Sequence, residues 1–346
     1  MAPQSRAVPV IALTGFLGAG KTTLLNHVLR TPGARIGVVI NDFGDLNVDA
    51  ALVTGQIDEP ASIAGGCLCC LTDDDALDEA LTKLADPALG LDAIIVEASG
   101  LADPVAISRI IRYSGADNVR WGGVVDVIDA RAHFDTVDRG SVPPARYAAA
   151  SLVVVNKLDQ VPDAERESAL ARIQARIREL NTDAHIVGVT AGRIDPALLY
   201  DVGARSEEPG QLSLRDLLLE APAHSGDHGH DHDLDHADSV TVTSAGGIDP
   251  DALFDLLENP PPGVYRLKGV IEVNSRAAAR RYVVNLVGTT IHLAKAPESA
   301  SANHLVAIGM HLAADDVRAQ LVHALQPGSA SAGGLRRLQR YRRLSI

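Results

Sequence analysis

The sequence contains little cysteine and no long apolar run. Three cysteines occur in 346 residues, and all lie within four positions, at Cys67, Cys69 and Cys70. An odd, clustered set is a poor disulfide framework and is more typical of metal-binding or redox chemistry inside the cell. No apolar run reaches the eighteen or so residues that a membrane span needs, and the segment before Val8 has no apolar signal core. These absences predict a cytoplasmic protein with no membrane partner.

Basic residues are also in the minority. The formal net charge is −13, which disfavours nonspecific binding of nucleic acid by the body of the protein. What the chain does have is length for about two domains and a hydrophobic content of 46%, ample for packed cores.

A glycine-rich loop near the start of the chain is the most informative motif. Residues 15–22 read GFLGAGKT and fit G-x-x-x-x-G-K-[ST], between a short apolar run and a segment with helical spacing. Glycines let successive backbone N–H groups point inward at phosphate oxygens, and the helix N-terminus adds its positive dipole end. We expect the lysine at the β- and γ-phosphates, where it is catalytic, and the threonine hydroxyl on Mg²⁺. The predicted nucleotide-binding residues are Gly15, Gly18, Ala19, Gly20, Lys21, Thr22 and Thr23. The alternative is a glycine-rich turn that binds nothing.

Apolar strands alternate with helical segments through the first two thirds of the chain, which predicts an α/β fold with a mainly parallel sheet. The expected strands after the first are 36–40, 93–96, 123–128, 152–155 and 186–189. Nucleotides bind at the carboxyl ends of such strands, and the remaining motifs fall there.

Two of these strand ends have nucleotide chemistry. The sequence NKLD, containing Asn156, Lys157 and Asp159, follows the strand 152–155. A carboxylate there accepts hydrogen bonds from guanine N1–H and N2–H₂, which favours GTP over ATP; Thr190–Ala191 is the expected place for backbone contacts to the base. Glu97 ends another strand and suits Mg²⁺ binding through water, and Gly100 can offer its N–H to the γ-phosphate as a catalytic contact. Ordinary capping carboxylates and an Asx turn are the alternatives.

Metal ligands are the second theme of the sequence. The motif GGCLCC places three thiols within four residues, enough for three ligands to Zn²⁺ with an open fourth position. Asp42 is a further candidate ligand, and a solvated turn is an equally good interpretation of this residue. The segment 223–238 is rich in histidine and aspartate, and His228, His230 and His232 are weak auxiliary ligands for Zn²⁺ or Co²⁺. Buried structural cysteines and an incidental linker composition are the alternatives.

The composition changes divide the chain. We expect a P-loop domain over 1–222, the His/Asp-rich linker 223–238, a smaller α+β domain over 239–326 and a flexible basic tail over 327–346. The second domain should contain strands at 239–244, 264–273, 281–293 and 305–310 and helices at 250–257 and 315–325. The tail has five arginines and no acid; either it docks on an acidic surface or RNA, or it is a frayed terminus.

Taken in order, these motifs resemble the CobW family of P-loop GTPases. The resemblance rests on GFLGAGKTT at 15–23, NDFG at 41–44, GGCLCC at 65–70, EASGLADP at 97–104 and NKLD at 156–159, with RLKG at 266–269 in the second domain. It implies a GTP-hydrolysing metallochaperone that holds Zn²⁺, or in some members Co²⁺, on the cysteines and delivers it to an apo-metalloprotein client under GTP control.

The chain departs from the family pattern in two places. Asp42 stands where the family usually has glutamate, and Asp73 stands where it often has arginine. No glutamine occupies the place that orients water in small GTPases, so we expect slow intrinsic hydrolysis. A GTP-modulated metal buffer or sensor, a cobalt chaperone and an ATP-using P-loop kinase remain as alternatives, and a homodimer is possible.

Overall fold

The computed structural model describes residues 7–31, 34–40, 61–62, 74–98, 103–201, 236–274, 279–297, 300 and 302–345, with backbone alone at 40, 61–62 and 74–76. Two sheets are present in these residues, a seven-stranded one followed by a five-stranded one. No helix of the described residues is long and apolar enough to cross a membrane.

The first sheet is entirely parallel in its pairings and has the strand order β3-β2-β4-β1-β5-β6-β7. Its strands are β1 Val8–Gly15, β2 Ile36–Ile40, β3 Ala61–Ser62, β4 Ala93–Glu97, β5 Val119–Asp129, β6 Leu152–Asn156 and β7 His185–Gly188. The α-helices of this half are α1 Lys21–Leu29, α2 Asp74–Leu84, α3 Pro104–Arg112, the short α4 His133–Thr136 and α5 Asp163–Arg178. The predicted parallel α/β fold is confirmed.

The sheet is buried on both faces, as continuous apolar strands require. One apolar cluster contains Leu13 and Val154 of the sheet and Leu25 of α1. A second contains Ala12 and Val96 of the sheet and Ile107 of α3. Because β1 lies at the centre between β4 and β5, its carboxyl end is the point where the loops from neighbouring strands converge.

The second sheet is antiparallel, with the order β11-β10-β9-β12-β8. Its strands are β8 Asp238–Thr243, β9 Val264–Asn274, β10 Ala279–Val287, β11 Thr290–Lys295 and β12 His304–Gly309, and its helices are α6 Pro250–Glu258, α7 Ala314–Ala324 and α8 Ala332–Leu344. The expected strand 281–293 is two strands instead. The chain reverses at Gly288, whose φ of 56° suits a glycine in a tight turn.

The prediction of a flexible tail over 327–346 is wrong for most of that segment. Ser331 caps α8 by accepting a hydrogen bond from the Gly334 N–H at 2.9 Å. The buried Leu338 joins the core of the second sheet, and the Tyr341 ring stacks on Phe254 of α6. The basic tail therefore forms a helix that docks on acidic residues of α6 in the same chain.

The two sheets share a polar joint. Arg266 of β9 donates to the Ala197 carbonyl at 2.8 Å and pairs with Asp201 at 3.2 Å, and Lys268 pairs with the same carboxylate at 3.0 Å. The Tyr265 hydroxyl lies 3.1 Å from Ser151 Oγ at the start of β6. This joint gives the RLKG strand a structural role.

Candidate nucleotide site

The glycine loop joins β1 to α1 at the carboxyl edge of the parallel sheet. Gly15, Gly18 and Gly20 have φ values of 148°, 79° and 102°. A Cβ on Gly15 would lie 2.6 Å from the Val127 carbonyl oxygen, and one on Gly20 would lie 2.3 Å from Asn156 Nδ2. Glycine is therefore required at both positions by conformation and by space, and the curl that a phosphate cradle needs is present.

The lysine and the threonine of the motif lie at the start of α1, directly after the glycine loop. The Lys21 side chain is largely buried, and its ammonium donates to the Gly15 carbonyl at 3.1 Å, so that it bends back over the loop. The Thr22 hydroxyl donates to Glu97 Oε1 at 3.1 Å. A threonine hydroxyl and a carboxylate side by side, next to an anion-binding loop, form the oxygen donor set that Mg²⁺ prefers together with substrate phosphates. Thr23 is exposed at the start of α1.

Asn156 ties the NKLD turn to the glycine loop. Its side chain is buried, donates through Nδ2 to the Ala19 carbonyl at 3.0 Å and accepts the Gly192 N–H through Oδ1 at 2.8 Å. The residue thereby fixes the loop after β7 against the phosphate loop. Ala191, in that same loop, has a φ of 51°, a conformation that few residues other than glycine adopt.

Lys157 and Asp159 differ in their surroundings. Lys157 has a φ of 63° and pairs with Asp129 at the end of β5 through a 2.6 Å contact. Partial burial alone would raise the pKa of Asp129, but Lys157 and the backbone N–H groups of Ala132 and Arg131 reverse this and the pKa is lowered. Asp159 is exposed on the same turn, so its carboxylate is open to an incoming base.

Several predicted residues lie outside the described part of the chain. These are Asp42, Cys67, Cys69, Cys70, Gly100, His228, His230 and His232. Within the described residues, no group of three or more histidine, cysteine, aspartate or glutamate side chains is placed to hold a metal ion. The metal half of the sequence-based hypothesis therefore stays a prediction.

Sequence reasoning missed a buried polar group behind the glycine loop. Asp126 on β5 is fully buried and accepts a hydrogen bond from the Thr14 hydroxyl at 2.8 Å. Arg146 closes on the same carboxylate with contacts of 3.1 and 2.6 Å. The signal was present in the sequence, because an aspartate inside the apolar run VVDVI has to find a partner.

A parallel sheet with a strand–glycine loop–helix unit at its carboxyl edge defines a P-loop nucleotide-binding protein. The model of the "CobW/HypB/UreG, nucleotide-binding domain" matches residues 9–188, and that of the "Cobalamin synthesis protein cobW C-terminal domain" matches residues 237–325. The chain therefore belongs to the CobW/HypB/UreG family, and the resemblance inferred from its motifs is confirmed.

Individual relatives agree with this assignment. The chain is 29% identical over 342 residues to "Zinc chaperone CobW" of a Sinorhizobium species, covering 88% of this chain and 93% of the relative. It is 32% identical over 199 residues to "Zinc-regulated GTPase metalloprotein activator 1" of Schizosaccharomyces pombe, covering 54% of this chain and 47% of the relative, less than half of that protein's length. The crystal structure of Zn(II)-bound YjiA GTPase from E. coli aligns at 22% identity, covering 92% of this chain and 98% of that one, with a TM-score of 0.41. At this TM-score the likeness supports no further conclusion.

Proposed function

We propose that this protein is a GTPase metallochaperone, which binds GTP with Mg²⁺, hydrolyses it slowly and delivers Zn²⁺ to a client protein. The observation that carries the nucleotide part is the position of Asn156, which bonds to both the glycine loop and the loop after β7. The exposed carboxylate of Asp159 follows three residues later in the same turn, which supports guanine recognition at the edge of the sheet that holds the glycine loop.

Each residue of the cradle has one task. The glycine-loop N–H groups and the Lys21 ammonium bind the phosphates and compensate the charge that develops on them during transfer. Thr22 and Glu97 would hold Mg²⁺, the hydroxyl directly and the carboxylate through a water molecule. Magnesium when bound neutralises phosphate charge and fixes the orientation of the leaving group. Gly100 would offer its N–H to the γ-phosphate.

Guanine recognition is tested by the Asp159→Asn variant. An amide offers one donor and one acceptor in place of two acceptors, so it suits xanthine, which has a 2-oxo group where guanine has an amine. We expect a loss of GTP affinity of about a hundredfold, because the base then meets an unmatched polar group, together with a gain of xanthosine triphosphate binding. Titration of fluorescent GTP, ATP and xanthosine triphosphate measures both changes. Asp183→Asn, at another exposed aspartate, is the matched control.

The result also separates this function from an ATP-using kinase. A wild-type protein that binds ATP as tightly as GTP, with no change on Asp159→Asn, would remove the guanine assignment.

The cargo part rests on the thiol motif and on relatives that are named zinc chaperones. Three thiolates bind Zn²⁺ with an open fourth position, which suits transfer better than permanent storage. Zinc content measured with GTP and with GDP, in wild type and in Cys69→Ser, tests whether nucleotide controls the metal. A metal buffer in place of a chaperone would show nucleotide-dependent affinity but no faster transfer to an apo-client with GTP than with a non-hydrolysable analogue.

A further inference from the structure

A buried ion pair lies directly behind the glycine loop, and the function proposed above gives it no role. Asp126 is paired in register with Thr14 across the β1–β5 ladder, and Thr14 is the residue before Gly15. The carboxylate accepts from the Thr14 hydroxyl at 2.8 Å and from two nitrogens of Arg146, Nε at 3.1 Å and Nη2 at 2.6 Å. The guanidinium is thus linked through one carboxylate to Thr14, the strand residue that directly precedes the phosphate loop.

Arg146 also borders the loop itself. Together with Phe16 and Leu17 it lines a small cavity, whose remaining wall comes from the end of β5 and from α4. The Leu17 side chain is 75% exposed at the mouth of this space. The Arg146 side chain and the first residues of the glycine loop therefore border the same small space.

A second element, α3, packs against the short 3-10 helix Ala145–Ala149, which contains Arg146. Burial alone would lower the pKa of the guanidinium, but Asp126 chiefly, with Tyr147 and Asp103, reverses this and the pKa is raised. Asp103 is the N-cap of α3, where its carboxylate accepts from the Val105 N–H at 3.0 Å. Helix α3 begins at the last residue of the sequence EASGLADP, which covers residues 97–104 and contains both Glu97 and Gly100.

We propose that Arg146 is a positioning residue for GTP hydrolysis, holding the start of the phosphate loop and the start of α3 in one fixed relation. This inference rests on the proposed GTPase function. A residue of this kind touches neither phosphate nor base. Its loss leaves nucleotide binding largely intact and lowers the rate of the chemical step, because the start of α3 is no longer held at a fixed distance from the glycine loop.

The molecule contains a matched control. Arg176 pairs with Asp138 through Nε at 2.8 Å and Nη2 at 3.1 Å, and Asp138 also accepts from the Tyr147 hydroxyl at 3.1 Å. The side chains of the two pairs have nearly the same exposure, 13% and 0% for Arg146 and Asp126 against 15% and 1% for Arg176 and Asp138. In each pair the arginine contacts the aspartate through two nitrogens, and the same aspartate accepts a hydrogen bond from a hydroxyl group. The Arg146–Asp126 pair is the one that connects to the phosphate loop.

The experiment compares Arg146→Gln, Arg146→Lys and Arg176→Gln in the full-length protein. We expect Arg146→Gln to lower kcat for GTP about tenfold or more, with KM and GDP affinity changed about twofold or less, as befits misplacement of reacting groups. Arg146→Lys keeps the charge and should recover part of the rate. Arg176→Gln should lower thermal stability comparably and leave kcat unchanged. Equal losses of kcat in both glutamine variants, or no loss in Arg146→Gln, would overturn the proposal.

Amide hydrogen exchange of the nucleotide-free protein gives a second readout. Arg146→Gln should raise exchange together in residues 14–20 and 104–112, whereas Arg176→Gln should raise it in neither. A wild-type protein without GTP turnover would contradict the proposed function, and the exchange result would still decide whether Arg146 couples the two segments. Unchanged exchange in both segments would remove the coupling whatever the turnover.

Discussion

The two sheets of this protein use polar side chains in different ways. In the parallel sheet they gather at the carboxyl edge, where Lys21, Thr22, Glu97 and Asn156 come from three different elements. In the antiparallel sheet the described charged contacts join one element to another, as Arg266 does with Asp201. The first arrangement is suited to bind a ligand, and the second is suited to hold the two halves and the last helix in place.

The comparison is tested most strongly at the phosphate cradle. Lys21→Ala removes the ammonium that lies over the glycine loop. We expect GTP turnover to fall by a factor of about 10² to 10³, the usual cost of losing a charged group that stabilises transferred charge. Single-turnover hydrolysis measures it. Lys83→Ala, at an exposed lysine paired with Glu79, is the control. Retention of more than a tenth of the wild-type rate in Lys21→Ala would place the chemistry elsewhere.

The joint between the sheets should show the opposite pattern. Asp201→Asn leaves the nearly buried Arg266 and the half-buried Lys268 without their carboxylate. Removal of one partner from a buried pair destabilises by about 3 kcal/mol, and denaturant unfolding measures that change. GTP affinity should stay within about threefold, well under the tenfold that 1.4 kcal/mol represents. A parallel loss of GTP affinity would show that the joint is part of the nucleotide site.

Much of the nucleotide edge was predictable because its chemistry is local in the sequence. The glycine loop, NKLD and the strand ending at Glu97 each combine a buried apolar run with polar residues at fixed spacing. The roles of Arg146 and Asp201 were not predictable. Their partners lie 20 and 65 residues away in the chain, and no local pattern encodes a contact at that separation.

The second sheet shows a different limit of the sequence pattern. Residues 281–293 alternate well enough for one strand, and the turn at Gly288 has no asparagine or aspartate before it to mark a hairpin. The tail was misjudged because serine, glycine and arginine indicate a linker locally. Its helical order comes from packing against α6, a tertiary effect that outweighs propensity.

Both halves should lose stability in mild acid, through one buried histidine and two partly buried ones. Burial chiefly lowers the pKa of His133, His185 and His292 to about 4 each. Since the unfolded chain takes up these protons near pH 6.5, stability is full above that pH and falls as the pH drops towards 4. At pH 5 the loss is about 2 kcal/mol per histidine.

Unfolding in denaturant at pH 7 and pH 5 measures this effect. His133→Gln in the first half and His292→Gln in the second should each reduce the pH dependence by about a third. The exposed His323→Gln should leave it unchanged. Equal stability of the wild type at both pH values would contradict the neutral state of these rings.

The smallest expected effect lies at the last helix. Arg337 of α8 contacts Asp255 at 2.7 Å and Glu258 at 2.9 Å on α6, with Asp251 at 3.4 Å, and its side chain is 24% exposed. Burial would lower its pKa, but hydrogen bonds to Asp255 and Glu258 raise it instead, so the charge is retained in the docked state. Arg337→Ala should cost about 1 to 2 kcal/mol, because several charge-assisted hydrogen bonds are lost at a partly screened site.

Arg336→Ala is the matched control, because this neighbouring arginine is exposed on the same helix. We expect it to change stability by less than about 0.5 kcal/mol. Added salt should narrow the difference between the two variants, since ion pairs at this exposure are screened. GTP turnover should be equal in both variants and in the wild type, because α8 lies on the antiparallel sheet and outside both matched family regions. A selective loss of turnover in Arg337→Ala would mean that the docked helix acts on the nucleotide half, and the division of labour between the two sheets would fail there.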